Sequence, residues 1–264
     1  MSPNENHNND VPKSHPRYLS LKYRHDIIEG MKNLVVAEAG LIAHGRGECF
    51  DYILGEKTSQ SAKKAIKAAV AMLLIAEKPV ISVNGNVAAL IPEELVVLSK
   101  LLSVPLEINL FYRKEGRIEA IKNVLNKAGA TDIKGVNEDA MVELEGLESN
   151  RRKVDFIGKA DVVMVPLEDG DRTEVLKKLN KKVIAVDLNP LSRTALWADI
   201  TIVDNIIRVI PEMITSTKEL QKSDKKTLRE IVDEFDNKKN ILDTLDIIIE
   251  YIQRQKVEAF KILK

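Results

Sequence analysis

The chain has 264 residues, enough for one large domain or two small ones, and 44% of them are hydrophobic, so it can form a substantial core. Its 40 basic and 40 acidic side chains balance, and without an overall positive field we do not expect nucleic acid as a partner. Cys49 is the single cysteine, which excludes an internal disulfide and a cysteine-built zinc site and fits a cytoplasmic protein. No segment approaches the roughly 20 apolar residues of a membrane span, so we expect no membrane partner.

Two helices are predicted between residues 18 and 77. Residues 1–12 are polar, and we expect them to form a disordered leader ahead of a single α/β domain over 13–236. Apolar residues at helical spacing predict a helix over 18–34. A second helix is predicted over 59–77, with Ser59 as its N-terminal cap.

Three glycines interrupt the helical pattern at Gly40–Gly47, where we expect a loop. Arg46 stands between Gly45 and Gly47, so backbone N–H groups can approach an anion that the guanidinium also binds. His44 lies beside this arginine in the sequence. The alternative is a surface turn with a solvated arginine.

Short strands and helices alternate in the middle of the chain. Strands are predicted over 79–83 and 106–110, and helices over 92–101 and 115–127. The polar, glycine-containing segment at 136–158 is expected to be a flap or an excursion from the sheet.

Amide and basic side chains follow the first two predicted strands. Asn84 and Asn86 flank a glycine where the first strand ends, and they form either a plain turn or a hydrogen-bonding clamp for a polar substrate. Arg113 follows the second strand and is a further candidate for substrate binding.

Three β-branched runs, at 162–165, 183–186 and 200–203, predict buried strands. Each is followed at once by a loop rich in charged and amide side chains, and these loops are Glu168–Thr173, Asp187–Thr194 and Asp204–Asn205. Buried strands that end in polar loops are typical of a nucleotide or anion site in an α/β protein.

Each of these loops suggests a role. Asp169 and Asp171 can hold Mg²⁺ through water, or Asp171 can cap a following helix. Asp187 can accept hydrogen bonds from ribose hydroxyls, and Arg193 with Thr194 can contact phosphate.

The alternation of strands and helices predicts an α/β fold of three layers, Rossmann-like, with a mostly parallel sheet, helices on both faces and extra terminal helices. Ligands on such sheets bind beyond the carboxyl ends of the strands. Helices are also expected over 206–218, 225–235 and 241–260. The C-terminal segment, 237–264, carries a wide apolar stripe, so we expect it to pack on the core or on a dimer partner.

Six long motifs resemble the archaeal 4-phosphopantoate–β-alanine ligases, also called phosphopantothenate synthetases. The resemblance covers nearly all of 12–236. The motifs are Lys13–Arg24, Ala39–Thr58, Pro79–Pro92, Leu106–Arg113, Ala160–Glu174 and Val186–Asn205.

The resemblance implies an enzyme of coenzyme A biosynthesis, a homodimer of Rossmann-like subunits, that joins 4-phosphopantoate to β-alanine while ATP becomes AMP and diphosphate. It also implies ATP contacts at Arg24, Arg46, Asp187, Leu188, Asn189, Arg193, Thr194, Asn205 and Ile206.

The chemistry of such a ligase fits these residues. Attack of a carboxylate on the α-phosphorus of ATP gives an acyl-adenylate, and cations with Mg²⁺ stabilise the developing charge. His44 can deprotonate β-alanine or bind the substrate phosphate. The side chains that we expect to take part in catalysis are His44, Arg46, Asp169, Asp171 and Arg172. The alternatives are a kinase or ATPase of the same fold and a non-catalytic nucleotide sensor.

Overall fold

A computed structural model describes most of the chain. The described residues are 12–15, 17–110, 114–137, 142–143 and 153–262. The predicted disordered leader therefore lies outside the described residues except for Pro12, and so does Arg113. The predicted flap or excursion is described only at its two ends and in one short strand between them.

Helices and strands alternate along most of the described chain, as the sequence predicts. The helices are α1 (Tyr18–Lys32), α2 (Glu38–Leu54), α3 (Gln60–Ile75), α4 (Gly85–Leu90), α5 (Pro92–Leu102), α6 (Arg117–Lys127), α7 (Gly170–Lys178), α8 (Arg193–Trp197), α9 (Ile206–Leu220), α10 (Lys225–Asp233) and α11 (Asn237–Ile262). The strands are β1 (Pro79–Val83), β2 (Leu106–Ile108), β3 (Ile133–Lys134), β4 (Val142–Glu143), β5 (Lys153–Val154), β6 (Val162–Pro166), β7 (Lys182–Val186) and β8 (Ile200–Ile202).

Six of these strands form one parallel sheet in the order β3-β2-β1-β6-β7-β8. The pairing of β1 with β6 places Ile81 opposite Met164. Strands β4 and β5 pair separately and antiparallel. The sheet order reverses direction between β1 and β6, and this reversal is the switch point at which parallel sheets bind ligands.

Alternate residues of the strands face opposite layers, which confirms the three-layer prediction. In β6, Val162 and Met164 pack in the larger core with α3, α5 and α9. Val163 and Val165 pack on the other side with residues of α7. Both faces are covered, so the strands read as continuous apolar runs and not as an alternating pattern.

The prediction of a loop at Gly40–Gly47 is wrong, because these residues lie in the N-terminal half of α2. From Ile42 onward their backbone N–H groups bond within the helix and cannot surround an anion. Gly40 and Gly47 allow close approach of neighbouring side chains instead, whereas Gly45 faces open space. A Cβ at Gly40 would lie 2.3 Å from Asn86 Oδ1, and one at Gly47 would lie 3.4 Å from Leu188 Cδ1. Tertiary packing therefore outweighs the low helix propensity of glycine.

Helix α11 packs on the body of its own subunit, which is one of the two positions that the sequence suggests. Ile241 and Ile248 are buried, and Asn240 Nδ2 donates to Thr201 O at 2.8 Å. The helix begins at Asn237, four residues before the start of its predicted apolar run.

The carboxylate of Glu107 holds the chain that enters the sheet before β6. The side chain is fully buried in β2, and it accepts hydrogen bonds from Asp155 N at 2.9 Å and Ile157 N at 2.7 Å. Burial raises the pKa of this carboxyl, and the backbone donors oppose that shift. Glu107 thus joins β2 to the 3₁₀ turn at Ile157–Lys159.

We expect Glu107→Gln to lower the free energy of unfolding by about 2–4 kcal/mol, because the amide turns an N–H group toward backbone donors and loses charge-assisted bonds. Urea denaturation measures the loss. The control is Glu119→Gln, an exposed carboxylate on α6, which should change stability by less than about 0.5 kcal/mol. Equal effects of the two substitutions would contradict this role of Glu107.

Candidate functional site

A cavity of about 420 Å³ lies at the switch point, beyond the carboxyl ends of β1, β2 and β6 and against α2. Its size is that of a small-molecule site. The polar and glycine residues that line it are Gly40, His44, Arg46, Gly47, Glu48, Asn84, Gly85, Asn86, Asn109, Arg117, Glu168, Asp169 and Asn205, and the apolar ones are Ala37, Ala39, Ala43, Leu90, Leu110, Leu167, Leu188 and Ile206. We call it the first cavity.

A second cavity of about 400 Å³ adjoins the first. The two share His44, Glu48, Leu90 and Asn205. Helices α1, α2 and α9, with residues that flank the first two, supply its other polar residues. They are Arg17, Ser20, Tyr23, Asp51, Tyr52, Glu56 and Arg208. Helix α2 is thus a wall of both cavities.

The structure brings about half of the predicted site residues to the first cavity. Those that line it are His44, Arg46, Asn84, Asn86, Asp169, Leu188, Asn205 and Ile206. Those that do not are Arg24, Asp171, Arg172, Asp187, Asn189, Arg193 and Thr194.

Two of the predicted phosphate-binding arginines already contact carboxylates. Arg24 Nε lies 2.9 Å from Glu48 Oε2. Arg193 donates to Asp171 at 2.6 Å and also to Glu174, and its side chain is 59% exposed. An anionic ligand at either arginine would have to compete with these ion pairs.

Arg46 is different, because its charge lies beside the predicted nucleotide loop. Burial raises the pKa of Asp187, and the charge of Arg46 is among the influences that oppose this shift. Asp187 also accepts hydrogen bonds from Asn189 N at 2.9 Å and from Ser192 Oγ. The side chain of Leu188 reaches the cavity between them.

The loop at Glu168–Thr173 is largely the start of α7. Asp169, and not Asp171, caps this helix, with Oδ1 accepting from Arg172 N at 3.0 Å. The Arg172 side chain is 1% exposed, and its Nε lies 3.4 Å from Glu168 Oε2. A direct catalytic role of Arg172 is therefore not supported, because its guanidinium is buried behind the cavity wall.

Asp169 and Asp171, the two carboxylates suggested as Mg²⁺ ligands, both have partners within the protein. No cluster of three or more His, Cys, Asp or Glu that could hold a metal ion occurs in the described part of the chain. Asp169 caps a helix and Asp171 pairs with Arg193. The loop therefore does cap a helix, but Asp169 is the capping residue and the prediction of Asp171 is wrong.

Asn84 and Asn86, which the sequence suggests as a turn or as a substrate clamp, hold parts of the fold together. Asn84 Oδ1 accepts from Val87 N at 3.1 Å, and Nδ2 donates to Pro166 O and Leu167 O at 3.0 Å each. Asn86 Nδ2 donates to Gly40 O at 2.9 Å. Both residues still line the cavity, but these bonds make them part of its frame.

A network of charges fixes α2 against the start of α9. Arg208 donates to Asp204 Oδ1 through Nε at 2.8 Å and also binds both carboxylate oxygens of Asp51. Asn205 Nδ2 donates to Asp51 Oδ2 at 2.7 Å. Sequence reasoning missed Asp51 and Arg208, although the spacing of four residues from Asp204 to Arg208 is a helical pairing signal.

Sequence reasoning also missed three buried polar residues of the first cavity. Asn109 and Arg117 are 1% and 6% exposed, and Arg117 Nη2 donates to Val35 O at 3.0 Å. The third is Glu168, which was noticed only as part of a loop. A buried polar residue directly after a strand was the available signal for Asn109.

His44 joins the two cavities and has unused hydrogen-bonding capacity. Its Nε2 atom is buried and has no hydrogen-bond partner among the residues that the structure describes. Burial lowers the pKa of His44, so its imidazole is neutral near pH 7.

Over the described ranges, no helix combines the length and the apolar character that crossing a bilayer requires.

Comparisons with known proteins agree with one another. The model of the phosphopantothenate/pantothenate synthetase family matches residues 61–251. A 4-phosphopantoate–β-alanine ligase from Thermococcus kodakarensis is 55% identical over 253 residues, which is 95% of this chain and 96% of that protein. The ligases of the same name from Thermococcus onnurineus and Methanosarcina mazei are 55% and 45% identical, over 89% and 95% of this chain and 90% and 98% of their own lengths.

The family model covers most of the chain, and the relatives match it nearly from end to end. The resemblance inferred from the motifs is therefore confirmed. This chain belongs to the phosphopantothenate/pantothenate synthetase family and is an enzyme of the ligase class.

Proposed function

We propose that this enzyme joins 4-phosphopantoate to β-alanine and makes 4′-phosphopantothenate for coenzyme A biosynthesis, with ATP converted to AMP and diphosphate. The observation that carries the proposal is the first cavity. It brings polar groups at the strand ends of a Rossmann-like sheet together with the cation of Arg46. The names of the related ligases supply the two substrates.

The carboxylate of 4-phosphopantoate must be activated before an amine can attack it. In the proposed reaction its oxygen attacks the α-phosphorus of ATP, which gives an acyl-adenylate and releases diphosphate. Negative charge develops on the phosphoryl oxygens, and we assign Arg46, one of the cations that line the first cavity, to stabilise it.

ATP fits best along the ends of β7 and β8. Leu188 and Ile206 offer an apolar surface in the cavity, and we assign to the neighbouring Asp187 the hydrogen bonds from the ribose hydroxyls. Mg²⁺ enters this proposal bound to the phosphates of ATP, where it usually keeps several waters and needs few protein ligands. No step depends on a metal held by the protein.

4-Phosphopantoate carries a phosphate and a carboxylate, and in this proposal it lies beside ATP in the space that the two adjoining cavities provide. His44 lies where the cavities meet. A neutral imidazole can donate one hydrogen bond to a phosphate oxygen without adding a charge. We assign His44 this phosphate-binding role.

The first prediction of this proposal concerns the products. Incubation with 4-phosphopantoate, β-alanine and Mg-ATP should yield 4′-phosphopantothenate, AMP and diphosphate in equal amounts, measured by liquid chromatography with mass spectrometry. Unphosphorylated pantoate is the control substrate and should react poorly. ADP in place of AMP would favour a kinase or ATPase, and tight ATP binding without turnover would favour a nucleotide sensor.

The second prediction concerns Arg46. Arg46→Ala should lower kcat/KM by roughly 30- to 1000-fold, about 2–4 kcal/mol of transition-state stabilisation, because the charge on the transferring phosphoryl group loses its cation. Arg229→Ala removes an exposed arginine of α10 and should have no effect. Near-normal turnover of Arg46→Ala would remove Arg46 from the site.

A homodimer and a cytoplasmic location are parts of the same proposal. The outer face of α11 exposes Leu242, Ile249 and Ile252 by about half of their surface each, which an interface between two copies would cover. The lone thiol of Cys49 suits a reducing compartment in which ATP is available.

The dimer proposal predicts that Ile249→Lys combined with Ile252→Lys yields a folded monomer, because two charges cannot be buried unpaired in an interface. Light scattering after size-exclusion chromatography measures the mass. Lys256→Glu on the same helix is the control. A dimer that survives the double substitution would show that another surface forms the interface.

A further inference from the structure

Two buried oxygen atoms of the first cavity lack a hydrogen-bond donor in the described part of the chain. They are Asn109 Oδ1 and Glu168 Oε2. Asn109 is 1% exposed, and the side chain of Glu168 is 8% exposed. Glu168 Oε2 does lie 3.4 Å from Arg172 Nε, an ion-pair contact without a hydrogen bond. Buried acceptors without donors are costly, so their presence beside a cavity indicates a donor that arrives with a ligand.

The two oxygens belong to strand ends on either side of β1. Asn109 follows β2, and its backbone N–H donates to Val83 O of β1 at 2.8 Å. Glu168 follows β6, whose last residues accept hydrogen bonds from Asn84 at the end of β1. Strand spacing puts the two backbones roughly 10 Å apart. The side chains of Asn109 and Glu168, with a small donor group between them, together span a distance of this size.

The backbone before Glu168 is strained in the way that functional sites often are. Leu167 has a φ of 52°, in the left-handed region that residues with a Cβ rarely adopt. Asn84 holds its carbonyl oxygen at 3.0 Å. This turn ends β6 and places Glu168 along the cavity and not on the surface.

A buried cation of the same cavity lies beside Gly85, at the start of α4. Arg117 is 6% exposed and lines the cavity, and its Nη2 lies 3.0 Å from the point where a Cβ on Gly85 would stand. Glycine at position 85 thus leaves room for the guanidinium. One buried cation with two buried acceptors matches a small zwitterion.

We infer that this end of the cavity is the subsite for β-alanine, the short amino acid of the proposed reaction, on which the inference rests. Asn109 Oδ1 and Glu168 Oε2 accept N–H groups of its ammonium, and Arg117 faces its carboxylate. Glu168 then acts as the general base that takes the proton from the ammonium.

The ammonium of β-alanine gives one proton to Glu168, and the freed lone pair attacks the carbonyl carbon of the acyl-adenylate. The C–N bond forms, the C–O bond to AMP breaks, and AMP leaves with that electron pair. The second proton of nitrogen passes to solvent, and the protonated Glu168 returns its proton to solvent after release of the amide.

The environment of Glu168 suits this role. Burial raises the pKa of its carboxyl to about 7, against the opposing charge of Arg172. A base is most effective when its pKa lies near the working pH. The ordinary carboxylate value would make it a much weaker acceptor for an ammonium proton.

The test separates formation of the acyl-adenylate from its use. Hydroxylamine is neutral at pH 7, so it traps an acyl-adenylate as a hydroxamate without needing a base. Wild-type enzyme, Glu168→Gln and Asn109→Ala are assayed with ATP and 4-phosphopantoate, once with hydroxylamine and once with β-alanine. Glu119→Gln on α6 is the matched control for Glu168→Gln, and Asn126→Ala is the control for Asn109→Ala.

We expect Glu168→Gln to form the hydroxamate at about the wild-type rate and to lose amide formation by about 100-fold or more, the usual contribution of a general base. Asn109→Ala should raise the KM for β-alanine by roughly tenfold, the effect of one hydrogen bond to an ammonium, and leave the KM for ATP unchanged. Both controls should behave as wild type.

Equal loss of both products, or retention of both, in Glu168→Gln would overturn the inference. If Glu168→Gln does not fold by circular dichroism, the KM values of Asn109→Ala decide, and an unchanged KM for β-alanine overturns the subsite. Wild-type enzyme that forms no hydroxamate with 4-phosphopantoate would instead overturn the proposed function itself.

Discussion

The whole site depends on how one amide side chain bridges the switch point of the sheet. Asn84 stands at the end of β1, where the strand order turns back, and it satisfies three backbone groups at once. One bond caps the start of helix α4, and the other two hold the carbonyl groups of Pro166, the last residue of β6, and of Leu167 just after it. Leu167 keeps its left-handed conformation through this contact. The direction of Glu168, and with it one wall of the first cavity, follows from the same bridge.

The regular elements could be predicted from the sequence because their signals are local. The β-branched runs that became β6, β7 and β8 are nearly continuous, as strands buried on both faces must be. Ser59 caps α3 as its side chain and position suggest. The two-residue strand β3 and the five-residue helix α8 are too short to leave a periodic pattern.

Helix α2 was mistaken for a loop because glycine was judged by its intrinsic preference. The reason for glycine at position 40 lies in Asn86, which is 46 residues away in the sequence. The same limitation applies to the amides of the site. Sequence alone did not show that the Asn84 side chain is bound to Leu167, while the side-chain oxygen Oδ1 of Asn109 has no partner in the described chain. Both residues follow strands, and only their distant neighbours distinguish them.

Helix α2 separates the two cavities and belongs to both. It carries His44 and Glu48 into each of them, and Asp51 on the same helix is bound by Arg208 and Asn205. A rigid helix that serves as a common wall cannot move for one ligand without changing the space for the other. If α2 moves when one cavity is filled, the affinity of the neighbouring cavity changes, and by thermodynamic linkage the effect is reciprocal. In the proposed reaction, where ATP and 4-phosphopantoate bind side by side, such a shared wall would make the order of their binding a property of the fold.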